Sequence, residues 1–438
     1  MADARSATVA EAGRVISLED AFRIVDETLA GVRLAVETVP TRTAVGRVLA
    51  REQQSYLDLP PFDKAAVDGY AIGPGRRGRR APPCRQDACG TGGPGSQGQY
   101  RVVQTVAAGQ AGVAALHPGE TVKVMTGAPV PAGTTRVVMQ EEAEQYGEFV
   151  KLKEQGPSNF CKQGEDMKRG DVVLPAGIVL RALDVGNLVG CGITSVEVFR
   201  RPRLAIISTG NEIVDDPALL TPGRIMNING PMLAGLCVAS GLEVSSQVSV
   251  LDTPEAVSDA VHAGLSQADI VILSGGVSVG EADFVLGALE RVGLRLHFTR
   301  VAVKPGKPTA FATVEQFGKL FNREGKMVFG LPGNPVSVFL MFHVLVLRAV
   351  ARLTGGPLRL RAFTVPLGGA FRRRHAERAE YVPACLTNEG RAEMLAYHGS
   401  AHLLALTRAD GFVAVPFGIK ELPAGASVEF FQLPGCSQ

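Results

Sequence analysis

The chain has 438 residues, of which 46% are hydrophobic and 20% are charged, and its formal net charge is +2. This length exceeds one typical domain, so two to four domains are expected, and the apolar content excludes a globally disordered chain. The balanced charge gives no indication of nucleic-acid binding, so an anion site must come from local clusters. The N-terminal segment lacks the basic start and apolar run of a signal peptide, and the 7 Cys form no C-x-x-C pair. We therefore expect reduced thiols and a cytoplasmic protein.

The first predicted elements are a helix and a β-rich unit. The stretch "SLEDAFRIVDETLAGV" places apolar residues at helical spacing behind Ser17, a plausible N-cap. Residues 73–99 are rich in Gly, Pro and Arg without an apolar period, which predicts a flexible surface loop. In residues 100–146 short β-like runs alternate with turns, and this pattern predicts a small all-β unit.

From residue 201 onward, strands, glycine loops and helices alternate. The stretches "RPRLAIISTG", "DIVILSGG" and "KMVFGLPGNP" each indicate a strand that runs into glycine, with helical patterns between them. This alternation predicts a parallel, doubly wound α/β sheet. The most apolar pattern, residues 336–347, is well short of the roughly 20 residues of a membrane span, so it predicts a buried helix. From about residue 357 the pattern returns to short strands, typical of a small β-barrel or sandwich.

The functional candidates lie at the predicted carboxyl ends of the strands, where open parallel sheets bind ligands. Glycines let the main chain close on a ligand, and the helix that follows offers free N–H groups to phosphate or an oxyanion. Lys304 and Lys307 in "VKPGKP" flank a Pro-Gly turn and could hold a tetrahedral oxyanion. Any one of these features alone is equally compatible with ordinary loop chemistry. The three loops are Thr209-Gly210-Asn211-Glu212, residues 274–280 and residues 330–335.

Acidic residues accompany two of these loops. Glu212 lies in the first loop, and Glu281 and Asp283 follow the second. Carboxylates beside anion-binding loops commonly hold Mg²⁺, which bridges them to phosphate. Asp283 could equally stabilise the first turn of its helix. The residues alone therefore leave metal binding and helix capping open.

A different chemistry is suggested by "GVSVG" at residues 276–280, which matches the G-x-S-x-G nucleophile elbow of serine hydrolases. A hydrolase would also need a histidine downstream of Ser278. His343 falls in the apolar helix, His375 in a basic run and His297 in a predicted strand, and there is no HGGG-type oxyanion motif. The elbow also leaves the other two loops and the lysine pair unexplained. An anion-binding loop is therefore favoured over a nucleophile.

Seven motifs occur in order: "PPFDKAAVDGYA", "VKVMTGAPVPAGTTRVVMQEE", "GEDMKRGDVVLPAG", "STGNEIV", "SGGVSVGEADF", "VKPGKP" and "GLPGNPVS". With them the chain resembles the molybdopterin molybdenumtransferases, the molybdenum insertases of bacterial MoeA type that are related to the E domain of gephyrin. The likeness runs from about Ser17 to the C-terminus. It implies a multidomain α/β plus β fold, with a central doubly wound parallel α/β molybdopterin-binding domain, an inserted β domain and a C-terminal β-barrel-like domain.

The resemblance further implies an elongated homodimer of four-domain subunits, whose active cleft lies between the α/β domain of one subunit and the inserted β domain of the other. Its substrates are adenylylated molybdopterin and molybdate. The AMP linkage is hydrolysed with Mg²⁺, and molybdenum is inserted at the dithiolene. We expect contact with the molybdopterin adenylyltransferase and with molybdoenzyme acceptors, and with neither nucleic acid nor a membrane. The expected domains are residues 14–56 with 148–200, 57–147 with the flexible loop 73–99, 201–356, and 357–438.

The resemblance also implies a role for individual residues. The catalytic residues are Asp63, Asp166, Glu212 and Asp283, of which Glu212 and Asp283 hold the metal. Adenylylated molybdopterin is bound by Thr126, Thr209, Gly210, Ser274, Gly275, Gly276, Ser278, Gly280, Gly333, Asn334 and Pro335. Molybdate is bound by Lys304, Lys307, Arg378 and Ser400. Asp68 matches one further polar position of the cleft.

The chain departs from the family pattern near these residues. Lys64-Ala65 replaces an Asn-Ser pair, and Asn211 and Asn227 stand where many relatives carry Asp. The two Asn residues each remove a negative charge near the expected metal or molybdate, so metal affinity or the preference for molybdate over tungstate could shift. Two alternatives to an insertase are a molybdopterin-binding scaffold or carrier without turnover, and a transferase that adenylylates molybdopterin. The β-rich flanks argue against the transferase.

Overall fold

The computed structural model describes residues 14–73, 97–153, 155–276, 282–314, 325–358, 360–396, 399 and 403–433. Within these ranges the chain forms three six-stranded sheets, short two-stranded ribbons and seven α-helices. One large sheet lies in the inserted region, one in the α/β region and one in the C-terminal region. The helices are α1 (Leu18–Thr28), α2 (Ala182–Gly190), α3 (Asn229–Ala239), α4 (Pro254–Gln267), α5 (Ala282–Arg291), α6 (Pro335–Met341) and α7 (Leu347–Thr354).

Capping residues determine where two of the helices start. Ser17 Oγ accepts the N–H of Asp20 at 2.9 Å, so Ser17 caps α1 as predicted. Thr253 Oγ1 accepts the N–H of Ala256 at 3.2 Å, directly ahead of Pro254 at the start of α4. A capping oxygen satisfies a free N–H of the first turn, and Pro fits the first helical position because its missing N–H is not needed there.

The α/β sheet carries the predicted strand, loop and helix units. Five of its strands run in one direction and Ala310–Val314 runs against them, so the sheet is mixed where a parallel sheet was predicted. The connection from Phe298 to Ala310 contains no helix, and a parallel return needs a longer crossover. In spatial order the strands are Glu243–Val250, Arg203–Thr209, Ile270–Ser274, Met327–Leu331, Ala310–Val314 and Leu294–Phe298.

Helices cover both faces of this sheet because side chains alternate along its central strands. Ile206 packs in a core with Leu233 of α3 and Leu347 of α7 on one face. Its neighbour Ile207 packs with Val261 of α4 and Leu289 of α5 on the other face. The predicted doubly wound arrangement is therefore confirmed.

The apolar pattern near residue 340 forms a buried helix, as predicted. α6, the π-helical segment Phe342–Val346 and α7 follow one another without a break over 20 residues, a longer helix than the predicted 336–347. By length and composition this segment could cross a membrane, but 83% of its most apolar window is buried inside the protein. Its side chains therefore belong to the core of the α/β region.

The inserted β unit is a six-stranded sheet that extends past its predicted boundary. Phe149–Lys153 pairs with Gln97–Val106 and, across a turn at Gly147, with Glu144–Tyr146. The predicted boundary between residues 147 and 148 is therefore wrong, because that turn lies inside a hairpin of the sheet. Most of the predicted loop 73–99 lies outside the described residues, and residues 97–99 belong to a strand. The other strands are Gly69–Ile72, Glu120–Val124 and Arg136–Met139.

Segments from both sides of the insertion fold together. Val36–Pro40 pairs with Ser195–Phe199, and Gln53–Gln54 pairs with Val172–Leu174. Leu188 of α2 packs onto these ribbons in a common core. Further short pairs join Val15–Ile16 to Arg300–Val301, Lys64–Ala65 to Phe160–Cys161, Ile213–Val214 to Ile225–Met226, and Phe371–Arg372 to Glu421–Leu422.

The C-terminal sheet includes a strand from the α/β region. Val303–Lys304 pairs in parallel with Ala379–Leu386, and this register places Lys304 beside Glu380. The sheet of the predicted domain 357–438 is thus completed by two residues that were predicted to belong to 201–356. Its other strands are Arg361–Pro366, Ala392–Met394, Gly411–Val415 and Ser427–Gln432.

Candidate functional site

The candidate site lies at the carboxyl ends of the central strands Arg203–Thr209 and Ile270–Ser274. The chain connections diverge on either side of this point, and open α/β sheets bind ligands at such a switch point. Gly275 donates its N–H to the carbonyl oxygen of Leu331 at 3.2 Å. A Cβ atom on Gly333 would lie 3.6 Å from the Cα atom of Gly275. The second and third predicted glycine loops are therefore in contact.

Gly275 brings the first loop into the same contact. Its φ is +105°, and a Cβ atom here would lie 2.3 Å from the carbonyl oxygen of Thr209. Glycine is therefore required both by the backbone conformation and by the close approach of the two chains. Gly210 is in close contact with the Glu212 side chain, because a Cβ atom on Gly210 would be 2.8 Å from Glu212 Oε2. We call this group of strand ends, Thr209, Gly210, Ser274, Gly275, Gly276 and Gly333, the glycine-loop edge.

Asn229 joins two of these loops, although no sequence motif marks it. It is 6% exposed, begins α3, and its Nδ2 donates to Ser274 Oγ at 2.8 Å and to the carbonyl oxygen of Gly333 at 2.6 Å. Its position depends on how α3 packs against the sheet, which local sequence does not reveal. Asn229 is thus a site residue that the sequence-based prediction missed.

Three buried oxygens at this edge lack a hydrogen-bond partner within the described residues: Thr209 Oγ1, Asn229 Oδ1 and Asp252 Oδ1. Asp252 follows the strand Glu243–Val250, and its N–H donates to Asn211 Oδ1 at 3.2 Å. Leaving a buried polar group unpaired costs about 1–3 kcal/mol, so such groups are normally satisfied. The three oxygens are therefore suited to contact a ligand, a water or a cation. Asp252 was also missed, although its place after a strand of this sheet is the signal used for the other loops.

Asn227 is a buried centre of hydrogen bonds below the glycine-loop edge. Its Oδ1 accepts from Ser208 Oγ at 3.1 Å and from the N–H of Gly230 at 3.0 Å. Its Nδ2 donates to Asp215 Oδ1 at 2.9 Å and to Ser249 Oγ at 3.0 Å. An aspartate here would place a second carboxylate against Asp215 and could not donate. The departure from the family pattern at this position therefore suits the neighbours that this chain provides.

The predicted metal ligands are only partly described by the structure. Glu212 is exposed on the first loop, and Asp283 lies in the first turn of α5, with its side chain outside the described residues. Ser278 and Gly280 also lie outside them, so the second loop is described only as far as Gly276. In the part of the chain that the structure describes, no three His, Cys, Asp or Glu side chains form a metal-binding group.

The third loop leads directly into α6. Pro335 is the first helical residue, and the carbonyl oxygen of Asn334 accepts the N–H of Val338 at 3.0 Å. Pro at this position leaves the first free N–H groups of the helix to the residues that follow. The predicted residues Gly333, Asn334 and Pro335 are therefore placed at a helix start that faces the switch point.

The predicted lysine pair lies on a turn with a well-supported backbone. The carbonyl oxygen of Lys307 accepts the N–H groups of Val301 at 2.9 Å and Thr309 at 3.0 Å. Gly306 has φ +124°, and a Cβ atom there would lie 2.7 Å from Met341 Sδ of α6. The turn is thereby packed on the helix that starts at the third loop.

Lys304 and Arg378 lie close to one buried ion pair. Lys304 Nζ is 2.7 Å from Glu380 Oε1, and Arg373 Nη1 is 3.3 Å from Glu380 Oε2. The same Arg373 nitrogen donates to the carbonyl oxygen of Arg378 at 3.0 Å. The structure therefore brings two of the four predicted molybdate residues to one place. Ser400 lies outside the described residues.

The predicted polar residues of the inserted region make local contacts. Asp63 Oδ1 accepts the N–H of Gln163 at 2.8 Å, in the loop that also carries the exposed Asp166. Asp68 Oδ1 accepts the N–H of Thr126 at 2.6 Å and its hydroxyl at 2.7 Å, and these two bonds lower the pKa of Asp68. Among the described residues, no hydrogen bond or ion pair joins any of these four to the glycine-loop edge.

The histidines of the alternative hydrolase interpretation are engaged elsewhere. His297 Nε2 lies 2.8 Å from Thr313 Oγ1, and burial lowers the pKa of His297 to about 4. His343 Nδ1 lies 2.8 Å from the carbonyl oxygen of Phe339, and burial lowers its pKa to about 4 as well. A general base works best with a pKa near the operating pH. Neither buried histidine therefore suits the role of activating Ser278.

Comparison with protein families divides the chain into three matching parts. Residues 16–192 match the MoeA N-terminal region (domain I and II). Residues 205–352 match a probable molybdopterin binding domain, which contains the glycine-loop edge. Residues 365–433 match the MoeA C-terminal region (domain IV). These matches cover the three regions that hold the large sheets.

Individual relatives match over nearly the whole length. The molybdopterin molybdenumtransferase of Nostoc sp. is 31% identical over 428 residues, which cover 91% of this chain and 89% of the relative. The Staphylococcus aureus (strain COL) protein of the same name is 29% identical and is covered to 90%. A crystal structure of the molybdopterin biosynthesis moeA protein from Pyrococcus horikoshii OT3 superposes with a TM-score of 0.77, at 27% identity, over 96% of this chain and 100% of that one. The chain therefore belongs to the MoeA family and is an enzyme of the molybdopterin molybdenumtransferase type, which acts in molybdenum cofactor biosynthesis.

Proposed function

We propose that this enzyme binds adenylylated molybdopterin at the glycine-loop edge, hydrolyses its AMP linkage and inserts molybdenum from molybdate into the dithiolene. The observation that supports this proposal most is the contact of three strand-end loops beside three buried oxygens that have no hydrogen-bond partner among the described residues. Free N–H groups at loop and helix starts bind phosphate, and a nearby lysine turn offers point charges to an oxyanion. The products are the molybdenum cofactor and AMP.

Each loop contributes to binding of the adenylylated pterin. The main-chain N–H group of Gly276 faces the phosphates, and the hydroxyls of Thr209 and Ser274 add donors. Gly210 and Gly275 let the backbone approach the phosphates closely, while their own N–H groups bond to the carbonyl oxygens of Val250 and Leu331. The unpartnered oxygen of Asn229 can only accept, so it suits an N–H group of the pterin ring. Further contacts come from Ser278, Gly280, Gly333, Asn334, Pro335 and, from the inserted region, Thr126.

Hydrolysis uses the carboxylates of the cleft. The oxygen of a water molecule attacks a phosphorus of the anhydride while a carboxylate takes its proton. The bridging phosphorus–oxygen bond then breaks, so AMP and the pterin phosphate separate as two anions. We assign this step to Glu212 and Asp283 at the glycine-loop edge, to Asp63 from the inserted region and to Asp166 from the loop that bonds to Asp63.

The donors at this edge fit Mg²⁺, which proteins usually hold with one or two carboxylates together with substrate phosphates. Glu212 is exposed next to Gly210, and Asp252, which follows the neighbouring strand, has a buried carboxylate oxygen without a partner in the part of the chain that the structure describes. We assign the metal to Glu212 and Asp283, with Asp252 as an additional oxygen donor. When bound, Mg²⁺ neutralises charge on the anhydride and lowers the pKa of the attacking water.

Molybdate is the second substrate, and cations hold it. Lys304, Lys307 and Arg378 supply the positive charges, and Ser400 supplies a hydroxyl. Insertion forms two Mo–S bonds, while the two thiol protons leave with one molybdate oxygen as water. A dianion next to three cations is favourable because each hydrogen bond is charge-assisted.

We further propose a cytoplasmic homodimer in which the cleft is completed by a second copy. Asp63 and Thr126 belong to the inserted region, and Asp166 lies in the loop that bonds to Asp63. None of the three has a hydrogen bond to the glycine-loop edge within the described ranges. A partner's inserted region placed against the edge would bring these residues to the substrate. Mixed dimers of Glu212→Ala and Asp63→Ala subunits test this arrangement: each mixed dimer should recover one intact site, whereas a cleft within a single subunit would remain inactive.

The direct test is AMP release from adenylylated molybdopterin by the purified protein with Mg²⁺, in the presence and absence of molybdate, with molybdenum measured in the product. AMP release coupled to molybdenum insertion supports the proposal. Tight binding without AMP release would instead make the protein a carrier. ATP consumption without molybdate would indicate an adenylyltransferase.

A further inference from the structure

Glu380 is a buried carboxylate between two cations from different parts of the chain. The side chain of Glu380 is 6% exposed and that of Arg373 is 5% exposed, so both charged groups are shielded from water. Lys304, in contrast, is 50% exposed and reaches Glu380 from the α/β region at 2.7 Å. An ion pair in a buried place is weakly screened, so its geometry is more fixed than that of a surface pair.

Arg373 extends this ion pair into the C-terminal sheet. Besides Glu380 and the carbonyl oxygen of Arg378, it donates to the carbonyl oxygens of Ile419 at 2.7 Å and Pro416 at 2.6 Å. Its guanidinium therefore fixes the backbone at Arg378 and at a neighbouring turn. One buried pair thus supports both Lys304 and Arg378.

We propose that Glu380 is a positioning residue of the molybdate site. It holds the half-exposed Lys304 ammonium in an ion pair at 2.7 Å, and the three N–H donors of an ammonium leave capacity for the oxyanion. Through Arg373 it also fixes the backbone of Arg378, the residue directly before the strand Ala379–Leu386. Glu380 itself does not touch the substrate, because a carboxylate would repel molybdate. This inference rests on the molybdate role of Lys304 proposed above.

The test compares Glu380→Gln with a matched control, Asp26→Asn. Asp26 is likewise one carboxylate between two cations, since it accepts hydrogen bonds from Arg348 and Arg352 at 2.6–2.9 Å. It joins α1 to α7 and lies outside the site. For both full-length variants, AMP release gives the KM for molybdate and the KM for adenylylated molybdopterin. We expect Glu380→Gln to raise the molybdate KM about 10-fold or more and to leave the pterin KM within about twofold, whereas Asp26→Asn leaves both nearly unchanged.

A double-variant cycle separates positioning from a general loss of structure. If Glu380 acts through Lys304, adding Glu380→Gln to Lys304→Ala should raise the molybdate KM much less than it does in the native background. Glu380→Asp keeps the charge for Arg373 with a shorter reach, so it should fold and give an intermediate KM. Additive effects, or equal increases in both KM values, would overturn the positioning role.

The same data distinguish this inference from the proposed function. If the native enzyme shows no saturable dependence on molybdate, the proposed function fails. If the native enzyme saturates and Lys304→Ala weakens molybdate use, while Glu380→Gln behaves like Asp26→Asn, only the positioning role of Glu380 fails.

Discussion

Replacing Gly275 by alanine tests whether the loops at the end of the α/β sheet need their observed contact. The φ of +105° is unfavourable for a residue with a side chain, at a cost of about 1–3 kcal/mol. The new Cβ atom would also lie 2.3 Å from the carbonyl oxygen of Thr209, where real contacts stay beyond 3.0 Å. One chain must therefore move by at least about 0.7 Å, and such overpacking costs about 1–3 kcal/mol more. We expect Gly275→Ala to lower the free energy of unfolding by about 2–6 kcal/mol.

Gly333→Ala is the matched control on the facing loop. Its φ is not left-handed, and among the described residues its Cβ atom would meet only the Cα atom of Gly275 at 3.6 Å, an ordinary contact. We expect it to change stability by less than about 0.5 kcal/mol. Urea unfolding gives the stabilities of both variants. AMP release by Gly275→Ala should also fall up to about 100-fold, because a displacement near 1 Å can cost that much. Equal effects of the two variants would refute the fitted contact.

Three further predictions concern other parts of the molecule. Lys304→Ala should raise the molybdate KM about 10- to 100-fold, the value of a charge-assisted hydrogen bond, with a smaller change in pterin affinity; equal losses measured by binding assays would contradict the assignment. Asp68 has a lowered pKa because of Thr126, so its stabilising contribution is present above its ordinary pKa of 3.8 and is lost as pH falls further; Asp68→Asn should destabilise at pH 7 but not at pH 2, as urea titrations at both values would show. Burial lowers the pKa of His343 to about 4, so between pH 6.5 and about 4 the imidazole takes up a proton only when the chain unfolds. The free energy of unfolding should therefore fall by about 3 kcal/mol as the pH drops through this range. His343→Gln should flatten this part of the stability profile, and an unchanged slope would argue against a neutral buried imidazole.

The parts of the fold that local sequence determines could be predicted well. Ser17 and Thr253 cap their helices through side-chain bonds to residues three positions away, so the signal is contained in a few residues. Gly275 could likewise be predicted as a residue of a ligand-binding loop, because a glycine directly after a buried strand indicates a close approach of the backbone. The boundary at residue 147 failed for the same local reason: Gly147 marks a turn, but a turn does not reveal whether the next strand joins the same sheet.

Residues whose role depends on distant partners could not be predicted. Asn229 bonds to Ser274 and to Gly333, both of which reach it only after the sheet has formed. Glu380 meets Lys304 only because Val303–Lys304 leaves one region to join the sheet of another. These contacts are set by packing between units, and no periodicity or motif in the chain encodes them.

The departures from the family pattern can now be judged by their neighbours. Asn211 accepts the N–H of Asp252 with its side-chain oxygen and so supports the strand end beside it. Asn227 donates to Asp215, a bond that an aspartate could not make. Ala65 is 1% exposed and packs in the core of the inserted sheet, where a serine hydroxyl would need a partner.

None of these three substitutions removes a predicted catalytic carboxylate. Glu212 remains exposed beside Gly210, and Asp63 remains bonded to the loop that carries Asp166. Asp252 keeps a carboxylate oxygen that no described residue contacts by a hydrogen bond. A carrier that had lost turnover would be expected to have lost acid, base or metal-binding groups first, because binding needs only the loops and the cations. The retained carboxylates therefore favour an active insertase over a carrier, and the substituted positions are accounted for by hydrogen bonding and packing around them.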